Sequence, residues 1–157
     1  MSGAAVQDHY PEDLAHCYGC GRMNPSGLQL KSRWEGDEVV ARFTPQPVHI
    51  AIPGFVYGGL IASLIDCHAM ATAAAGAERA AGRDLGSGPA PRYVTASLKV
   101  DYLRPTPLGP ELTLRGRVRE AGPRKMVVQV SVLAGDQETA RGEAVAVPMP
   151  ASMIPVG

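Results

Sequence analysis

Apolar and polar positions change rhythm several times along this chain of 157 residues. Leu28, Leu30, Ser32 and Trp34 alternate with polar neighbours, which predicts a strand over 28–34. Gly36-Asp37 then supplies a hairpin turn, and residues 39–43 predict a second strand. Residues 44–54 contain three prolines and a glycine and read as loop. From Gly58 to about residue 75 the chain is mostly Ala, Leu, Ile and Met without proline, which predicts one buried helix. Residues 76–91 return to Gly and Pro, with a short helical turn expected around 78–81. Residues 93–103 give the clearest strand: Val94, Ala96, Leu98, Val100 and Tyr102 fall on one face, and Tyr93, Thr95, Ser97, Lys99 and Asp101 on the other. Three prolines then turn the chain, and strands follow over 111–120, 125–133 and 138–147, separated by Ala121-Gly122-Pro123-Arg124 and Gly135-Asp136. The order predicts an α+β domain over 16–148, with five or six antiparallel strands curled around one helix. Residues 1–15 are expected to form a loose arm, and 149–157, with Pro150 and Pro155, a frayed tail.

Composition narrows the picture. Fifteen acidic and fifteen basic residues cancel, so charge gives no case for nucleic acid or a membrane surface as partner. Residues 1–10 lack the apolar stretch of a secretory signal. The longest apolar run, 60–77, is broken by Asp66 and His68 and reads as a core helix rather than a membrane span. Three cysteines argue against a disulfide framework and for a reducing compartment, so the cytoplasm is the expected location.

Asp66 is the position that asks for chemistry. Its nearest charged neighbours along the chain are Arg42 and Glu78. A carboxylate in an apolar helix is costly unless it is paired, solvated in a cleft or used. On a helical wheel Asp66 shares its face with Gly59, Ala62, Ser63, Ala69, Met70 and Ala73, small residues that allow close approach. It is either a catalytic group or a structural carboxylate. At the helix start, the N–H groups of Gly58 and Gly59 lack intrahelical partners and lie at the positive end of the dipole. They are candidate donors to a carbonyl oxygen, or simply allow tight loop-to-helix packing. Asp66 is eight residues beyond Gly58, about 12 Å along the axis at roughly 1.5 Å per residue. One small reacting group cannot touch both on a single helix. If both act together, the helix start comes from one subunit and Asp66 from another, which predicts a dimer with sites between the chains.

Other positions carry weaker signals. Thr95 could orient a water for Asp66, and Tyr57 could line the site. Arg92, Arg104, Arg124 and Lys125 sit at strand ends or turns, where basic residues can grip phosphates or form a solvated rim. Cys17-x-x-Cys20 is a single pair, with Cys67, His9, His49 and His68 scattered elsewhere. A structural zinc site takes four ligands and a redox pair sits in a βαβ setting, so no metal is expected. Cys67 and His68 point about 100° apart on the helix and do not form a nucleophile–base pair. His68 is expected in the core or at an interface.

Three segments together resemble the hotdog-fold acyl-CoA thioesterases, in particular the group related to phenylacetic-acid-pathway thioesterases and the human thioesterase superfamily members. Cys17-Tyr18-Gly19-Cys20-Gly21, followed by Asn24-Pro25-Ser26-Gly27-Leu28, is similar to the Cys-x-x-Cys-Gly…Asn-Pro-x-Gly-Leu signature of one branch. His49 through Asp66 is similar to the family's His-x-Gly…Pro-Gly-x-Val-His-Gly-Gly…Asp motif, and Val94 through Pro105 to its long strand ending in Tyr-x-Arg-Pro. The resemblance spans residues 17–147 and implies a sheet wrapped around a central helix, assembled as homodimers or dimers of dimers. It implies hydrolysis of an acyl-CoA thioester with no cofactor beyond the CoA of the substrate. Asp66 matches the carboxylate that serves as general base or nucleophile, Gly58 the backbone donor to the carbonyl, and Thr95 a hydroxyl that positions water. Tyr57, Gly59, His49, Ser63, Arg104, Arg124 and Lys125 are the expected substrate contacts. Two positions depart from the family: Tyr57 replaces the usual His before Gly-Gly, and Ala51 stands where some relatives carry Asn. A non-catalytic acyl- or CoA-binding protein on the same scaffold is the competing expectation, and a structural dimer tied together by Asp66 a third.

Overall fold

A computed structural model describes residues 3–156. Its central feature is α1, Gly58–Ala80, which lies across a six-stranded antiparallel sheet. The strands are β1 (Ser32–Glu35), β2 (Glu38–Phe43), β3 (Tyr93–Tyr102), β4 (Leu112–Ala121), β5 (Met126–Ala134) and β6 (Gln137–Pro148). They are arranged β1-β2-β4-β5-β6-β3, so β1 and β3 form the two edges. This is the α+β layout that the hydrophobic pattern predicts. Leu64 and Ile65 of α1 are fully buried with Leu112, Leu114, Val128, Val130 and Val132 of the inner strands. By length and composition α1 could cross a membrane, but 72% of its most apolar window is buried inside the domain.

Four local expectations need correction. The helix does not stop at residue 75; it runs through Gly76 to Ala80. A Cβ at Gly76 would lie 2.8 Å from Cγ2 of Val118, so this glycine brings the helix close to β4 rather than breaking it. The first strand is shorter than expected. Leu28 and Leu30 precede it, with Gln29 at φ 56° between them, and their N–H groups donate to the carbonyls of Tyr18 and Gly19.

The N-terminal segment is not a loose arm from Ala5 onward, although its first two residues lie outside the described residues. Ala5, Val6 and Tyr10 are buried, with a 3-10 turn over Val6–His9. The Gln7 side chain accepts from Ser32 N–H at 2.8 Å and donates to Ser32 Oγ at 3.0 Å. Ser32 Oγ in turn lies 2.8 Å from His68 Nδ1, and His68 Nε2 lies 2.8 Å from the Val39 carbonyl. A carbonyl only accepts, so Nε2 carries the proton and Nδ1 accepts from Ser32. Burial pushes the His68 pKa down to about 4, and the ring is neutral in the core. His68 is therefore the core histidine expected from its place on the helix. At the other terminus, an exposed 3-10 turn over Ala151–Met153 follows β6, and Met149 N–H ties the chain to the Arg92 carbonyl; Gly157 lies outside the described residues.

The fourth correction concerns β3. Its pairing with β6 shifts between Thr95 and Ser97. The bulge breaks the predicted two-face alternation. Leu98 and Val100 pack on the core while Thr95 also reaches α1, although simple alternation places Thr95 opposite them.

Candidate active site

Asp66 emerges in the middle of α1, half-buried, under the start of β3. Thr95 Oγ1 donates a short hydrogen bond to Asp66 Oδ1. None of the ion pairs among the described residues involves Asp66. One carboxylate oxygen is thus held by a hydroxyl, without a cation to neutralise the group. The other oxygen is left to take a proton from water or to attack an electrophile. A cavity of about 320 Å³ opens here, lined by Asp66 and Thr95 together with Met70, Tyr93 and Arg92.

The helix start forms a second place. Tyr57, extended at φ −60° and ψ 129°, delivers the chain into α1 without a side-chain cap. Its N–H donates to the His49 carbonyl, and its own carbonyl accepts from Leu60 and Ile61. Among the described residues neither Gly58 N–H nor Gly59 N–H donates to a protein acceptor. The Gly58 carbonyl accepts from Tyr102 Oη at 2.7 Å, which anchors the helix start to the end of β3. The sequence places Tyr102 on a strand face and in the Tyr-x-Arg-Pro motif, and neither points to this anchoring role. A cavity of about 700 Å³ lies beside the helix start, lined by Tyr57, Gly59, Ser63, His49, Phe43 and Val48 among others. Ser63 Oγ donates to the Gly59 carbonyl at 2.8 Å. His49 Nδ1 accepts from Gln46 N–H at 2.8 Å, and the His49 ring lies against Phe43.

The two cavities share no lining residue. Within one chain the structure therefore brings Asp66 to Thr95, and the helix start to Tyr57, Gly59, Ser63 and His49, but keeps these groups apart. Of the four basic residues, Arg92 lines the Asp66 cavity, and Arg104, Arg124 and Lys125 line neither. Arg104 donates to the Glu138 carbonyl at 3.1 Å. Arg124 and Lys125 sit in the β4–β5 turn next to the Ala121–Met126 pair. That is the opposite end of β4 from Leu112, whose partner Phe43 lines the cavity beside the helix start.

Sequence reasoning left Cys67 apart from Cys17 and Cys20, and the fold brings all three together beside Asp66. Thiol contacts, with Cys20 first and then with Cys67, hold the Cys17 thiol far below the ordinary range. The contact with Cys17 pushes Cys20 up to about 11 and, with Cys20 and burial, pushes Cys67 well above its usual value.

Comparison with known proteins identifies the family and the fold. Residues 53–141 match the model of the Thioesterase superfamily. The chain is 32% identical over 108 residues to Acyl-coenzyme A thioesterase THEM4 of Xenopus laevis, an alignment covering 69% of this chain and 43% of that protein. The chain thus spans less than half the length of this relative. A crystal structure of a thioesterase superfamily protein from Shewanella loihica PV-4 is 47% identical, with a TM-score of 0.67, covering 87% of this chain and 96% of that one. The E. coli PaaI protein of the phenylacetic acid degradation operon shares the fold at 17% identity and a TM-score of 0.63, covering 78% of this chain and 81% of that one. The helix wrapped by an antiparallel sheet is the hotdog fold.

Proposed function

Because the chain belongs to the thioesterase superfamily, we propose that it hydrolyses an acyl-CoA thioester to the free acid and CoA, with Asp66 as general base or nucleophile. The observation that carries this reading is the Thr95–Asp66 pair at the mouth of a cavity, a carboxylate oriented by a hydroxyl and in none of the ion pairs among the described residues. The name of the frog relative, an acyl-coenzyme A thioesterase, supports the substrate class.

In the proposed reaction Thr95 fixes the Asp66 carboxylate. The free oxygen either takes a proton from water as that water attacks the thioester carbonyl, or attacks the carbonyl itself to give an anhydride that water then opens. The carbonyl oxygen gains negative charge, which the Gly58 N–H of a partner subunit stabilises from the positive end of α1. The C–S bond breaks and CoA leaves as the thiol. Tyr57, Gly59, Ser63 and His49 shape the cavity beside that donor.

Two subunits are needed because the cavities at Asp66 and at the helix start are separate in one chain. β3 suits such an assembly: it is an edge strand, and most of its residues from Thr95 to Tyr102 are exposed. The proposed setting is the cytoplasm, in keeping with three free thiols.

Thiol release from short, medium, long and aromatic acyl-CoAs tests the reading. Wild type should turn over at least one class, and Asp66→Asn should abolish turnover with its circular dichroism intact. A single turnover in ¹⁸O-water tests the nucleophilic role: label in the Asp66 carboxyl requires an anhydride that water opens at the Asp66 carbonyl. Binding of CoA without turnover by wild type would overturn hydrolysis in favour of a binding protein built with Tyr57 in place of histidine.

A further inference from the structure

Cys17 and Cys20 lie on the turn that follows the N-terminal segment, and Cys67 lies on α1 next to Asp66. Cys17 Sγ is 3.6 Å from Cys67 Sγ across 50 residues of sequence. All three sulfurs lie within 4.8 Å of one another, with Cys20 and Cys67 buried and Cys17 half-buried. Three thiolates around a tetrahedral zinc at about 2.3 Å stand roughly 3.8 Å apart along each edge. The observed spacing needs only a small side-chain adjustment to meet that figure.

The surroundings are built for this approach. A Cβ at position 19 would fall 2.3 Å from Cys67 Sγ, so only glycine lets the turn seat against the third sulfur. Arg92 lines the same cavity, held by the Leu14 carbonyl at 3.3 Å and stacked on the Tyr10 ring at 4.3 Å. Its positive charge offsets the single negative charge that three thiolates and a dication leave behind. A thiol–disulfide pair would need two sulfurs; here the fold supplies a third from a different element.

We propose that Cys17, Cys20 and Cys67 form a three-thiolate site for a soft metal ion, Zn²⁺ or Cu(I), which ties the 17–20 turn to α1 beside Asp66. Among the described residues no fourth His, Cys, Asp or Glu atom joins the set. A tetrahedral ion therefore keeps one position open to a small ligand, in a cavity that Met70 and Met153 also line. Loading forms three S–metal bonds and releases to solvent the protons that the Cys20 and Cys67 thiols still hold, with no change in oxidation state. The site shares its cavity with Asp66, but its donors are the three sulfurs and not the Asp66 carboxylate.

The test uses the full chain, reduced and stripped of metal without oxygen. Titration with Co²⁺, the spectroscopic stand-in for Zn²⁺, should give one equivalent with a thiolate-to-cobalt charge-transfer band, displaced by Zn²⁺. Titration with Cu(I) is the second arm and reads which ion binds more tightly. Loading should protect the three thiols from alkylation and raise the melting temperature. Cys17→Ser should weaken binding roughly 100-fold or more, beyond what loss of an outer-shell partner costs. Because Cys17 is half-buried, this variant folds more readily than one at Cys67, and the wild-type titration stands without either. Absence of a thiolate band with Co²⁺, together with no retention of Zn²⁺ or Cu(I), overturns the site. So does a stable disulfide between two of the three cysteines in metal-treated protein.

Discussion

Gly58→Pro is the sharpest test of a site shared between two chains. The substitution deletes one backbone N–H and little else. Position 58 is the first residue of α1, where proline is favoured because its missing N–H has no helical partner. Tyr57 already holds φ −60° and ψ 129°, the extended conformation that a following proline requires. A Cβ at position 58 meets the Tyr102 ring at 3.4 Å, close to ordinary contact. Among the described residues no protein acceptor loses a bond. Stability should hold, or rise slightly through reduced freedom of the unfolded chain. If that N–H stabilises the developing oxyanion, turnover should fall roughly 10²–10³-fold, equivalent to about 3–4 kcal/mol. Gly58→Pro and Asp66→Asn then damage opposite halves of the site. Random co-assembly of equal amounts makes half of the dimers mixed, and each mixed dimer holds one site built from two intact halves. Activity per chain should recover to roughly one quarter of wild type. The assay is thiol release after co-refolding of differently tagged variants, and mixed dimers captured through both tags should rise further, to roughly one half of wild type per chain. Mixed dimers with no activity above the single variants would refute the shared site, and a fully active Gly58→Pro would remove the donor from the mechanism.

Two further substitutions probe how the scaffold holds that site. Gln7→Ala removes both side-chain bonds to Ser32 and leaves the buried Ser32 N–H without its acceptor. The expected loss is about 2 kcal/mol, or a melting temperature lowered by roughly 4–8 °C, and an unchanged melting curve would show that the N-terminal segment is not part of the core. Gly116→Ala places a Cβ 2.2 Å from Thr72 Oγ1, a hydroxyl already pinned to the His68 carbonyl at 2.7 Å. It should destabilise by about 1–3 kcal/mol in chemical denaturation, and adding Thr72→Ala should recover part of that loss. A simple sum of the two single effects would mean that the contact is not the cause.

What the sequence made legible was local. Asp66 stood out because a charge interrupts an apolar helix, and Gly58 because a helix start exposes its N–H groups; neither inference needs a partner segment. The separation of the two cavities followed from helical rise alone. The features that were not legible depend on what approaches from elsewhere. Gly76 reads as a breaker until Val118 is placed beside it, since the residue that stops a helix also lets one lie close to a sheet. Gln7 reads as part of a polar arm until Ser32, 25 residues away, takes both of its side-chain hydrogen bonds. Thr95 was placed opposite Leu98 because alternation assumes an unbroken pleat, and one bulge puts both on the helix side. That bulge matters most for function. Without it the hydroxyl would point away from α1, and Asp66 would face its cavity with no hydrogen-bond donor to hold the carboxylate. The carboxylate is announced by the helix sequence, but its orientation is set by a one-residue irregularity in the pairing of β3 with β6.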